Sequence, residues 1–133
     1  MLTVVICLTC IAFMPYLASS IGGYYRISQT GKYDLVNPRV QAATLVGAGA
    51  RSQYLHANCW EALGLFSAAV LAVFITNAIN ETVTMLCISF VVIRGVYFIA
   101  YLTNMATLRF SAFGLGFACC AGLFYTAITT IPA

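Results

Sequence analysis

No formal charge occurs between Met1 and Tyr25, between Ala62 and Asn80, or from Phe110 to Ala133, and all three stretches are built mainly from aliphatic, aromatic and small residues. Segments of this length and polarity fit a hydrocarbon core of roughly 30 Å, which about 20 helical residues cross. In that solvent a backbone must satisfy its own hydrogen bonds, so the segments are expected to be helices. Composition agrees: 62% of the 133 residues are hydrophobic and 7% are charged, against roughly 25% charged in an ordinary soluble domain. The expected fold is therefore all-α, an integral membrane four-helix bundle in a single domain, and a nucleic-acid partner is not expected.

The first span is expected over about 1–22, a retained helix kinked at Pro15, because the chain opens without the basic segment of a secretory signal. Tyr24 to Arg39 reads as a polar loop, with turn chemistry at Thr30-Gly31 and Asn37-Pro38. A second span of about 45–77 is approached by a small-residue helix from Gln41 to Ala50 and becomes strongly apolar from Leu63 onward. The third and fourth spans are expected at about 82–102 and 109–131, joined by a turn near Thr103 to Thr107. Arg26, Lys32, Arg39 and Arg109 then share one side and Glu81 lies on the other. The positive-inside rule places the basic loops in the cytoplasm and both termini outside.

The six cysteines, at 7, 10, 59, 87, 119 and 120, all fall within expected spans, where cysteine behaves as a small hydrophobe. Cys7-x-x-Cys10 has redox spacing without the strand-then-helix setting that such a motif needs. With His56 as the only histidine, no metal site is suggested. Gly114, Ala118 and Gly122 recur every four residues and read as a stripe for close helix approach. Asn80-Glu81-Thr82 fits a glycosylation acceptor, though one crowded against the membrane.

Ionisable residues within the spans are the candidate functional groups, since each costs about 3 kcal/mol at the bilayer centre on insertion scales unless paired or hydrated. Arg51, Tyr54, Asn58 and Glu61 stand at successive spacings of three, four and three residues, and Arg94, Tyr97, Tyr101 and Asn104 repeat that spacing. On a helix each set occupies an arc of roughly 80°. The structural reading makes these stripes interhelical pairs, such as Glu61 with Arg94. Yet Arg51, Arg94 and Arg109 face only Glu61, an excess of positive charge that suits an anionic ligand carrying one amino group. Arg109, expected in the first turn of the last helix, stands where helix dipole and guanidinium would both favour a thiolate; an anchor to lipid headgroups is the alternative for an arginine at a helix end.

The segment Arg51-Ser-Gln-Tyr-Leu-His56-Ala-Asn58-Cys-Trp-Glu61, with Arg94-x-x-Tyr97-x-x-x-Tyr101 and Leu108-Arg109 after it, resembles the helix motifs of the membrane-associated proteins in eicosanoid and glutathione metabolism, the MAPEG family. The resemblance covers nearly the whole chain. It implies a homotrimer with glutathione bound between subunits near the cytoplasmic side. Asn58 and Glu61 would hold the peptide and its amino end; Arg94, Tyr97 and Tyr101 would hold its carboxylates and backbone. Arg51 belongs to the same motif, Arg26 would be a further carboxylate contact, and Arg109 would activate the thiol. Two departures stand out: Tyr54 occupies a position where several members carry a second arginine, and Ala62 one where some carry a tyrosine.

These readings lead to a glutathione-dependent transferase or peroxidase that uses glutathione as co-substrate and acts on a lipophilic electrophile or hydroperoxide arriving from the membrane lipids. The competing expectation is a non-catalytic lipid-binding or scaffolding protein of the same fold. An ion or solute conduit fits less well, because the charges form stripes rather than a ring. Compact loops suggest a bacterial inner membrane rather than the endoplasmic reticulum.

Overall fold

The computed structural model describes residues 1–131. Its elements, all helical, are α1 (Leu2–Thr30), α2 (Pro38–Ala43), α3 (Ala48–Ile75), α4 (Glu81–Leu102) and α5 (Ala106–Thr130). Four of them, α1, α3, α4 and α5, are long and apolar enough to cross a membrane.

The helix ends follow from local chemistry. Gly31 adopts φ 77° and returns its N–H to the Ile27 carbonyl at 2.9 Å, closing α1. Asparagine does the same work after α3 and α4. Asn77 and Asn104 take φ 54° and 62°, and the residues behind them reach back, Ala78 N–H to Val73 O at 3.0 Å and Met105 N–H to Ala100 O at 2.9 Å. These are the six-to-one closures of a left-handed helix cap. Asn80 opens α4 by accepting the Val83 N–H on its side chain at 2.9 Å. The sequon asparagine is thus a helix cap.

Three sequence expectations are corrected. The first span does not stop at Gly22: α1 continues to Thr30, so Arg26 lies on a helix, and the chain runs helically through the buried Pro15. The approach to the second span is not one helix. Proline at the first position starts α2, and a break at Thr44–Gly47, with Gly47 at φ 56°, separates it from α3. Within the subunit the small-residue stripe of α5 packs closely only at Gly122, where a Cβ would lie 3.1 Å from Leu86 Cδ1. Gly114 and Ala118 are exposed, whereas Ala112, Gly116, Cys119, Leu123 and Ala127 are buried. Burial selects the face with large partners opposite small residues, and Phe90 and Ile93 fill the space over Gly116.

At mid-bundle Phe66 of α3 and Phe90 of α4 stack at 4.4 Å and 6°, and five of the six cysteines are buried while Cys10 is exposed. At the basic end α1 crosses α3 closely. A Cβ on Gly49 would lie 2.8 Å from Gln29 Nε2 and 3.2 Å from Tyr25 Cβ, and one on Gly22 would collide with the Gln53 amide. Overpacking of this kind costs about 1–3 kcal/mol. Gly49→Val is accordingly expected to lower the thermal midpoint of the detergent-solubilised protein, measured by circular dichroism, with Gly64→Val, where a Cβ meets open space, as the control that does not.

Candidate functional site

The α3 and α4 stripes meet through one contact. Arg94, buried at 4% exposure despite its charge, donates from Nη2 to Asn58 Oδ1 at 2.8 Å, and Asn58 Nδ2 donates to Glu61 Oε2 at 3.3 Å. The expected Arg94 and Glu61 partnership is therefore relayed by Asn58. The guanidinium carbon of Arg94 stands 4.3 Å from the centre of the Tyr97 ring, a cation held against a π face. Its Nε–H is buried without an acceptor.

From Tyr97 the site continues toward the α4–α5 turn. Tyr97 and Tyr101 pack at 5.5 Å between ring centres, and the Arg109 guanidinium covers the Tyr101 ring at 4.6 Å. Arg109 closes the first turn of α5: its own N–H is taken by the Met105 carbonyl at 2.9 Å. Asn58, Glu61, Arg94, Tyr97, Tyr101 and Arg109 thus form one continuous polar path on α3, α4 and α5. Beside it opens a cavity of about 130 Å³, lined by Asn58, Glu61 and Arg94 at one side and by Ala62, Leu65, Phe90, Phe113, Gly116 and Phe117 at the other.

Arg51 does not join that path as a free cation. It donates from Nε and Nη2 to the Leu102 carbonyl at 3.1 and 3.0 Å, satisfying a terminal acceptor of α4 and opposing the negative end of its dipole. The fourth stripe residue, Asn104, is the left-handed cap residue described above, not a ligand contact. Arg51→Gln is expected to destabilise the fold by about 1–2 kcal/mol, read as earlier hydrogen exchange at the Leu102–Met105 backbone.

Arg26 belongs to a second cavity, of about 570 Å³, between α1, α2 and α3, which it lines with Arg39, Gln53, Tyr54 and His56. There it donates to the Tyr33 hydroxyl at 2.7 Å and to Gln53 Oε1 at 3.5 Å. His56 Nε2 accepts from Trp60 Nε1 at 3.1 Å. Within one subunit, Arg26 and Tyr54 are therefore apart from the Arg94 path. Sequence reasoning missed the aromatic wall of the smaller cavity. Its signal was present, since Arg109, Phe113 and Phe117 recur every four residues along α5.

Four apolar helices, with a buried arginine relayed through an amide to an exposed carboxylate, define an integral multi-pass membrane protein. The sequence profile of the MAPEG family matches residues 3–129, and the chain belongs to that family. No curated protein and no solved structure matches it.

Proposed function

We propose that this protein is a glutathione-dependent transferase or peroxidase acting on lipophilic electrophiles or hydroperoxides. The observation that carries the proposal is the Arg94–Asn58–Glu61 relay, continued through Tyr97 and Tyr101 to Arg109. Such a path offers two cations for anionic groups, a carboxylate for an ammonium group, and an amide between them. Glutathione carries two carboxylates, one ammonium and one thiol, so its charges complement those of the path. The acceptorless Nε–H of Arg94 supports a ligand carboxylate there, because a buried donor left unpaired costs about 1–3 kcal/mol.

Arg109 is the catalytic residue in this reading. Its guanidinium stabilises the thiolate, which attacks the electrophilic carbon; a carbon–sulfur bond forms, the leaving group departs with its electron pair, and the thiol proton passes to water. With a hydroperoxide, the thiolate cleaves the O–O bond and a second glutathione completes the disulfide, so that two thiols are oxidised as one peroxide is reduced to alcohol and water.

Glu61 is exposed on a membrane-crossing helix, and a lone carboxylate facing lipid costs about 3 kcal/mol. In this reading a neighbouring copy in a homotrimer covers that carboxylate, and Arg26 of one subunit serves as a further carboxylate contact for the ligand. Arg26, Lys32 and Arg39 lie on the same end of the bundle as the α4–α5 turn, which supports a cytoplasmic position for that end and, with the compact loops, a bacterial inner membrane.

Purified protein in detergent tests the proposal directly. Calorimetric glutathione binding, a thiolate absorbance band on mixing and conjugation of a chlorodinitrobenzene are expected. Binding without thiolate formation or turnover would instead favour a non-catalytic lipid-binding or scaffolding role, and absence of binding would remove glutathione from the account.

A further inference from the structure

Arg109 stands at the end of a turn with little of its own to hold it. Thr103 to Leu108 are all exposed, and the first buried residue of α5 is Ala112, so no buried side chain anchors the opening of that helix. Met105, at its N-cap, makes no side-chain cap. Asn104, just ahead, takes φ 62°, a left-handed conformation that residues other than glycine adopt uncommonly. The backbone hydrogen bonds here stay within α4, α5 and their junction: Met105 N–H reaches the Ala100 carbonyl at 2.9 Å, and Arg109 N–H reaches the Met105 carbonyl at 2.9 Å. Among the described residues, the only hydrogen bonds that arrive at Leu102–Arg109 from another helix are the two from Arg51 of α3, at 3.1 and 3.0 Å to the Leu102 carbonyl.

The placement of that contact links it to the chemistry. Leu102 directly follows Tyr101, whose ring centre lies 4.6 Å from the Arg109 guanidinium. The segment joining this stacked pair is thus the turn whose α4 end Arg51 grips, and a shift of about 1 Å in a reacting group can lower a rate by roughly 100-fold. We infer that Arg51 is a positioning residue for Arg109: its two N–H groups clamp the Leu102 carbonyl, fix the α4–α5 turn, and so hold the second guanidinium over Tyr101 without touching the ligand. The catalytic meaning of this device rests on the glutathione reading; the coupling between Arg51 and Arg109 does not.

Full-length protein in detergent tests it with Arg51→Gln, which removes the clamp, and Arg51→Lys, which keeps a cation able to donate to a carbonyl. Arg51→Gln is expected to lower kcat for conjugation about tenfold and to leave the KM for glutathione within about twofold. It should also move the pH midpoint of thiolate formation up toward that of the free thiol. Arg51→Lys is expected to recover kcat to within about threefold and most of the pH shift. Asn104→Ala, which strains the same turn without touching Arg51, is a second route to the same kcat and pH changes. An Arg51→Gln variant with native circular dichroism, wild-type kcat and an unmoved pH midpoint would overturn the inference and leave the clamp as a stability contact alone. A fall confined to glutathione affinity would overturn it by making Arg51 a ligand contact, and Arg51→Lys no better than Arg51→Gln would count against it equally. Fluorine NMR with 3-fluorotyrosine in place of Tyr101 reads the coupling in the absence of glutathione. Arg51→Gln is expected to shift that resonance in the wild-type background and to leave it unmoved in the Arg109→Ala background; the same shift in both, or none in either, would sink the positioning role. If the wild type neither binds nor conjugates glutathione, the proposed function fails and the fluorine result alone decides the inference.

Discussion

Arg109→Ala is expected to lower the conjugation rate by roughly 100-fold or more, the scale on which single preorganised electrostatic donors act in transition states, with glutathione affinity changed far less. The asymmetry follows from geometry. Arg109 sits at the far end of the path, stacked over Tyr101, where the proposed pose puts the thiol rather than the peptide's charged ends. Stopped-flow detection of thiolate formation, followed by steady-state turnover, separates the two effects. The thiolate band should disappear in the variant. Turnover equal to the wild type would end the catalytic assignment and leave Arg109 as a surface anchor.

Arg94→Ala should act differently and at least as strongly. Removing a buried cation leaves Asn58 Oδ1 without its 2.8 Å donor and takes the cation from the face of Tyr97. Truncating one member of a buried charged hydrogen-bond pair costs about 2–5 kcal/mol, so glutathione affinity is expected to fall by roughly 30-fold or more. Arg94→Lys keeps the charge but loses the planar fork, and should recover only part of the affinity. Calorimetry at matched detergent concentration reads both variants, with Asn58→Ala as the comparison for the relay. An Arg94→Ala variant that binds glutathione as the wild type does would contradict the site.

Much of this molecule was legible in the sequence because membrane insertion leaves so few choices. Glu81–Leu102 is almost the span expected from apolar length alone, and the opposition of Arg94 to Asn58 and Glu61 was foreshadowed by two matched stripes. The misjudged elements share a cause. Tyr24 to Thr30 is polar and has the composition of a loop, but helix propagation needs only backbone hydrogen bonds, and α1 continues until Gly31 can turn left-handed. The Gly114, Ala118, Gly122 pattern rests on residue size alone. Size does not say which face meets a neighbour: Gly122 packs against Leu86 and Gly116 against Phe90, while Gly114 meets nothing within the subunit. Arg51 groups with the ligand cations by sequence because a sequence shows charge but not which backbone carbonyl lies within reach.

That last contact alters the electrostatic balance of the site. An arginine whose N–H groups are engaged by a helix-end carbonyl neutralises part of that helix's own terminus, leaving Arg94 and Arg109 against Glu61 as the formal charges along the path. A bound glutathione with its thiol protonated carries one net negative charge and brings this set to neutrality; losing the thiol proton takes it one charge negative. In the proposed reading Arg109 and the N-terminal end of the α5 dipole hold that extra charge, so the thiolate, rather than the bound thiol, is the state most sensitive to removing Arg109.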